Sequence, residues 1–366
     1  MADLTKINNI ANAAMAKIND VSSDNIAKVS GSTKPSGGAP RATKWFAAGA
    51  AGKIFTNSNA DASASGNGWS IAVDIGGGSG KGTTVGEDLD ENKRWVVHRS
   101  LATAEISYVN NGLEGDSGNW TTINLTNDHK AVNGGPSVAW GNDYWVGVGE
   151  SYDDGDSEVF IFASSNGGSS WSMIDVGNTT DDPGRCVCYK NGTTFFATIA
   201  DQIWTTTADP TVAGNWSLAI DLTVVSNNDI AAMAYDGTSR WVAVCAGGKA
   251  ATSINDWSSA TEVDPDVGSS NMYGVVYCAG SVNKWVATAH SGKISYSSDG
   301  VNWTAATTPI TNVLYAIATD HTTIVVVGGN GRVLTSTDAI NWTEITTPFT
   351  QAMWSISCDV IGAGMR

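Results

Sequence analysis

Four cations in this 366-residue chain share one local setting: Lys53, Lys249, Lys293 and Arg332 each directly follow a glycine. His290 and Asn330 stand beside two of these pairs. A glycine turn that repeatedly ends on a cation could assemble a site for an anion or an acidic glycan, or a docking surface for an oppositely polarised partner. The plainer reading is a hairpin residue next to its turn glycine. Acid is clustered too, at Glu87, Asp88, Asp90 and Glu91, at Asp153, Asp154, Asp156 and Glu158, and at Asp181, Asp182 and Asp201. The run YDDGDSE, residues 152–158, carries enough carboxylate to attract Ca²⁺ weakly through Asp153, Asp154, Asp156 and Glu158. It lacks the glycine position and the final bidentate Glu of an EF-hand loop, so a solvated acidic loop explains it as well, and no other cofactor is implied.

Nucleophiles and soft ligands are less organised. Cys186, Cys188, Cys245, Cys278 and Cys358 form no CxxC and no Cys/His spacing suited to zinc, and read as buried structural thiols. Cys186 and Cys188, two residues apart, face the same side of a strand. His98, His129, His290 and His321 are scattered, and no Ser/His/Asp arrangement is visible in the order of residues. A formal net charge of −16 argues against general nucleic-acid binding through phosphate contacts. No stretch approaches the roughly 18 apolar residues of a membrane span. With Asp3 early and no apolar core behind it, the N-terminus does not read as a secretory signal, so a soluble protein made in a cytoplasm is expected.

These residues must be positioned by something, and tryptophan shows what. One series falls at Trp69, Trp120, Trp171, Trp216, Trp257, Trp303 and Trp342, with gaps of 51, 51, 45, 41, 46 and 39. A second series leads it: Trp45, Trp95, Trp145, Phe195 with Phe196, Trp241, Trp285 and Ile324. Repeats of 40–50 residues built from short alternating segments predict an all-β propeller. Within one unit, IAAMAYDG, RWVAVCA and KAATSI precede Asn255-Asp256-Trp257, which is expected to open a fourth strand. Seven outer tryptophans give seven blades of four antiparallel strands. KWFAAG, at the start, matches a second strand, and AMWSISCDV, at residues 352–360, matches a first strand with nothing after it. The two ends therefore share one closing blade, which removes free sheet edges.

The turn before the outer strand reads Ser297-x-Asp299-Gly300-x-x-Trp303, Ser336-x-Asp338-x-x-x-Trp342 and Ser164-x-Asn166-x-Gly168-x-x-Trp171. It resembles the Asp-box of BNR/Asp-box propellers, a group that includes sialidases, sortilin-type receptors and photosystem assembly factors. In that resemblance the box is structural: the carboxylate or amide accepts backbone N–H bonds, glycine takes positive φ and tryptophan packs between sheets. In SINDW and AGNW the Asp or Gly is lost. Sialidase chemistry is not expected here, because the chain has seven arginines, Arg94 and Arg240 belong to the Asp-box side, and PRATKWF does not match the F/Y-R-I-P element. The three-arginine, tyrosine and carboxylate set is not recognisable.

Residues 1–31 stand outside the repeat. Lys6-Ile7-Asn8, Lys17-Ile18-Asn19 and Lys28-Val29-Ser30 recur every 11 residues, and Leu4, Ile7, Ala11, Ala14, Ile18 and Val21 fit a heptad seam. Helix, strand and disordered leader all remain open. An apolar repeat this short cannot bury itself alone, which points to homo-oligomer formation or a partner, with residues 32–40 as a flexible linker to a propeller at 41–366. Short AKIN-x-V repeats ahead of such a propeller resemble virion proteins of tailed phages, marine ones in particular. The resemblance implies a non-enzymatic virion component, a tail fibre, spike or other appendage, attached to other virion proteins through residues 1–31 and binding a host surface glycan or another virion subunit. Two other readings stand beside it: a glycoside hydrolase or lyase acting on host polysaccharide, and a bacterial assembly factor that uses the propeller as a docking ring.

Tracing the chain assigns the faces. Second-to-third turns and fourth-to-first connections share one face, and the Asp-box turns share the other. The basic residues and the acidic clusters are expected on the first face, as a basic arc and an acidic arc.

Overall fold

The computed structural model describes residues 44–57, 68–76, 79–87, 93–100, 104–110, 113–125, 137–153, 156–176, 184–225 and 229–358. The expected attachment segment 1–31 and the linker 32–40 lie outside the described residues.

Among the described residues, twenty-eight strands form seven four-stranded antiparallel sheets, the seven blades of a β-propeller. In six blades four consecutive strands run from the axis outward. Blade 1 joins the last strand, Met353–Cys358, to Trp45–Gly49, Lys53–Asn57 and Trp69–Asp74. The seam is in register, with Trp45 opposite Cys358, Phe46 opposite Ser357 and Ala47 opposite Ile356. The inner strands of blades 2 to 7 are Ser79–Glu87, Ser137–Gly141, Gly184–Asn191, Ile230–Tyr235, Met272–Cys278 and Leu314–Thr319.

Second strands are apolar on both sides because each is flanked by two sheets. Ile324–Gly328 and Trp241–Cys245 are buried at every residue. The leading aromatic series opens these strands: Trp45, Trp95, Trp145, Trp241 and Trp285 are at most 1% exposed. The rings bridge neighbouring blades, Phe46 stacking on Trp95 at 4.6 Å and Phe196 meeting Trp241 edge-on at 4.7 Å. Burying one such side chain contributes up to about 3 kcal/mol, so these contacts set the blade spacing.

The outer tryptophans behave as expected in six blades. Trp171, Trp216 and Trp342 each donate an indole N–H to a turn carbonyl, of Gly168, Pro210 and Ala339, at 3.0–3.2 Å. Trp257 does not. The outer strand of blade 5 is Thr261–Val263, and Trp257 sits in the turn before it at φ 65°, fully buried beside Trp241. Its backbone N–H donates to Ser253 Oγ at 3.0 Å, as the backbone N–H of Gly168 does to Ser164 Oγ. Trp257 thus takes the glycine position of the turn and supplies the indole from there. Burial of a whole indole outweighs the roughly 1–2 kcal/mol cost of left-handed backbone.

The Ser-x-Asp and Ser-x-Asn turns are hydrogen-bond hubs. Asp299 accepts the N–H groups of Val301 and Asn302 at 2.9 and 2.8 Å, and Ser297 Oγ receives Gly300 N–H at 2.9 Å. Asp338 and Ser336 repeat this with Ile340, Asn341 and Ala339. Asn166 and Asn255 each accept one backbone N–H instead, from Ser170 and Ser259 four residues on, so a related turn survives in the degenerate sequence of blade 5.

Candidate functional site at the channel mouth

All seven inner strands start on one rim, the one that carries the second-to-third turns. They enclose an axial channel made of two stacked cavities of about 330 and about 240 Å³. At the mouth, successive inner strands carry a repeated β-bulge. Pairing with the second strand slips around Ala231, Tyr273, Tyr315 and Trp354, and also between Gly80 and Gly82 and between Gly184 and Val187. A bulge re-aims the side chain of its extra residue. The bulged residues of blades 6, 7 and 1 are all aromatic and half-exposed, and all line the larger cavity.

They form a continuous arc. Tyr273 meets Tyr315 edge-on at 5.7 Å, and Tyr315 lies 4.2 Å from Trp354 with the rings tilted by 40°. Burial raises the Tyr315 hydroxyl pKa, with Tyr273 adding to the shift, so the phenol stays neutral. Across the mouth Arg185 pairs with Asp229 at 3.0 Å through one terminal nitrogen, and its Nε has no hydrogen-bond partner. Ser355, 6% exposed, lines the same cavity with an unpartnered Oγ. Three aromatic faces and one guanidinium thus converge on one cavity, with the Ser355 hydroxyl buried in its wall. The sequence signal was present and was missed: Tyr273, Tyr315 and Trp354 are 42 and 39 residues apart, the repeat interval itself.

Deeper in, the channel is lined by Cys186, Cys188, Met233, Tyr277, His321 and Cys358. The two near thiols face the same side as expected, their sulfurs 3.7 Å apart. His321 Nδ1 accepts the Ala279 N–H at 3.2 Å, and burial lowers its pKa despite Asp320 nearby.

The basic residues do share the mouth rim, in blades 1, 5, 6 and 7, but they are not open cations. Lys53 pairs with Asp74, Lys249 with Glu262 and Arg332 with Glu344, each on the adjacent outer strand. Lys293 donates to Val267 O at 2.7 Å, and His290 Nδ1 bonds Ser291 Oγ at 2.7 Å. The arc expected as an anion site is therefore largely neutralised within its own blades. The glycines before the cations explain why the pattern repeats: a Cβ on Gly52, Gly248, Gly292 or Gly331 would stand 1.7–2.3 Å from a carbonyl oxygen of the following connection. Glycine is demanded by packing, and the cation follows it.

The acidic arc needs a correction. Glu87 ends an inner strand and so belongs to the opposite rim. Asp88, Asp90, Glu91, Asp154, Asp181 and Asp182 lie outside the described residues. Asp153 and Asp156 face each other across a second-to-third hairpin on the mouth rim, Glu158 lies further along that strand, and Asp201 lies in a turn of the same kind. On the opposite rim, cations lock neighbouring blades: Arg94 donates to Gly167 O, and Lys190 pairs with Asp256 at 2.6 Å.

No family model matches the chain, and no curated protein matches its sequence. Solved structures share the fold. The WD40 β-propeller domain of Doa1 superposes with a TM-score of 0.54 at 12% identity, over 85% of this chain and 91% of that one. Apo AztD from Citrobacter koseri gives 0.53 at 11%, over 86% and 98%. A chain of a nidogen–laminin complex gives 0.51 at 11%, over 87% and 98%. At these identities the likeness establishes the propeller alone.

Proposed function

We propose that this chain is a non-enzymatic docking propeller that captures a partner polypeptide segment at the channel mouth. The observation that carries the reading is the arc Tyr273–Tyr315–Trp354, three aromatic rings delivered to one cavity by the same bulge in three consecutive blades. Such a device spends ladder hydrogen bonds to aim side chains away from the core. Tyr, Trp and Arg are the residues that dominate protein interfaces, because they bury large faces with few rotamers to fix. Arg185, already held by Asp229, adds a guanidinium to the lining of the same cavity. Panning random linear peptides against the immobilised protein tests this. Enriched peptides are expected to lose at least tenfold in affinity on Trp354→Ala, about 1.4 kcal/mol or more. Peptides that bind wild type and variant equally would remove the mouth from the account. A glycan array with hits abolished by Trp354→Ala would instead assign the arc to a sugar, and release of reducing ends would overturn the non-enzymatic reading.

A second reading rests on the 11-residue recurrence within residues 1–31. It makes the propeller an appendage of a phage particle, oligomeric through that segment, with the docking face turned outward. Mass spectrometry of purified particles decides it: the polypeptide in symmetric copy number supports the role, and its absence ends it.

A further inference from the structure

We propose that Cys186 and Cys188 form a two-sulfur site for one soft monovalent cation of the copper(I) class inside the channel. Their sulfurs are 3.7 Å apart, far beyond the roughly 2.04 Å of a disulfide, so both are thiols. Two metal–thiolate bonds of about 2.3 Å span that gap without moving the backbone. The bulge region at the start of Gly184–Asn191 brings both side chains to the channel wall, where both line its cavities. The neighbouring inner strand fixes their roles: Met233 N–H donates to the Cys186 sulfur at 3.2 Å, and the Cys188 S–H donates to Met233 O at 3.2 Å. Cys186 is thus an acceptor, and the Cys188 thiol proton is directed at Met233 O.

The ligand count selects the ion. Among the described residues no three His, Cys, Asp or Glu side chains converge on one point, so no third ligand of those types joins the two thiols. Zinc asks for four ligands and calcium for six to eight oxygens. Soft thiolates in low number suit copper(I). Binding displaces the thiol protons to solvent and leaves the metal in its original oxidation state, so affinity rises with pH.

Anaerobic titration of the full chain with copper(I) against a chromophoric chelator tests the site. One equivalent is expected, with affinity reduced at least tenfold in Cys186→Ser and in Cys188→Ser and unchanged in Cys245→Ser, whose thiol is not among the channel-lining residues. No binding by wild type, or equal binding by wild type and a Cys186→Ser/Cys188→Ser variant, would overturn it. Should either serine variant fail to fold, X-ray absorption on the copper-loaded wild type decides alone. A sulfur shell of two protein ligands is expected, and a nitrogen or oxygen shell contradicts the proposal.

Discussion

His98 is the residue whose environment departs furthest from what its chemistry asks for. It is fully buried in the second strand of blade 2, 5.0 Å from the Phe162 ring, and neither ring nitrogen has a partner. Burial lowers its pKa to about 3. The folded protein therefore holds it neutral, while the unfolded chain takes up a proton below about 6.5. Its contribution is intact above that pH and is lost as pH falls, by about 1.4 kcal/mol per pH unit between 6.5 and 3. Urea midpoints from pH 7 to 5 should drop steeply in wild type and less in His98→Leu, and equal slopes would refute the assignment. Other residues were harder to read from sequence. Lys53, Lys249 and Arg332 were legible as a repeated set, but their pairing with Asp74, Glu262 and Glu344 depends on a strand register that spacing does not reveal. Trp257 kept the tryptophan interval while changing its place, because a turn residue and a strand residue three positions apart look alike in a count.

Among elements, two turns of blade 5, one on each rim, separate packing from backbone freedom. Gly248 and Gly237 both have positive φ, but a Cβ at Gly248 lies 1.7 Å from Gly268 O, whereas at Gly237 it meets nothing within 4 Å. Gly237→Ala should cost about 1 kcal/mol and Gly248→Ala more than about 3, read from denaturant midpoints. Equal costs would show that the turn does not interlock with the next connection. The Asp turns give a second contrast. Backbone N–H groups, Asn302 first, hold the Asp299 carboxyl well below its usual range. Asn255 holds its turn with an uncharged amide that accepts one backbone N–H, that of Ser259, so Asp299→Asn should lose less than the about 1–3 kcal/mol lost by Asp299→Ala. The stabilisation from Asp299 is present above pH 4 and fades as pH falls below it, and the Asn variant should not show that fade. Strand existence and turn chemistry were legible because alternation and Gly/Asn/Asp punctuation are local. The bulges were not: period-two alternation cannot say which residue is the extra one, so Tyr273, Tyr315 and Trp354 passed as ordinary strand positions.

At the scale of the molecule, the ring is closed by a strand from the far end of the chain, and closure was legible from the unmatched halves at both ends. Removing residues 352–366 deletes the partner of Trp45–Gly49 and one seventh of the channel wall. That truncation should abolish the cooperative unfolding transition, and a truncated chain that melts as sharply as wild type would contradict a closed ring. Closure also gives the mouth its rigidity, since the arc spans blade 1 and two neighbours that hold their bulges in place only while the seam is paired. The central claim is that this arc captures a partner segment. It is tested most directly by the affinity of panned peptides for wild type against Tyr315→Ala/Trp354→Ala, with circular dichroism confirming that both are folded. The account predicts a loss of at least tenfold in the double variant, and unchanged affinity in a folded double variant would contradict it.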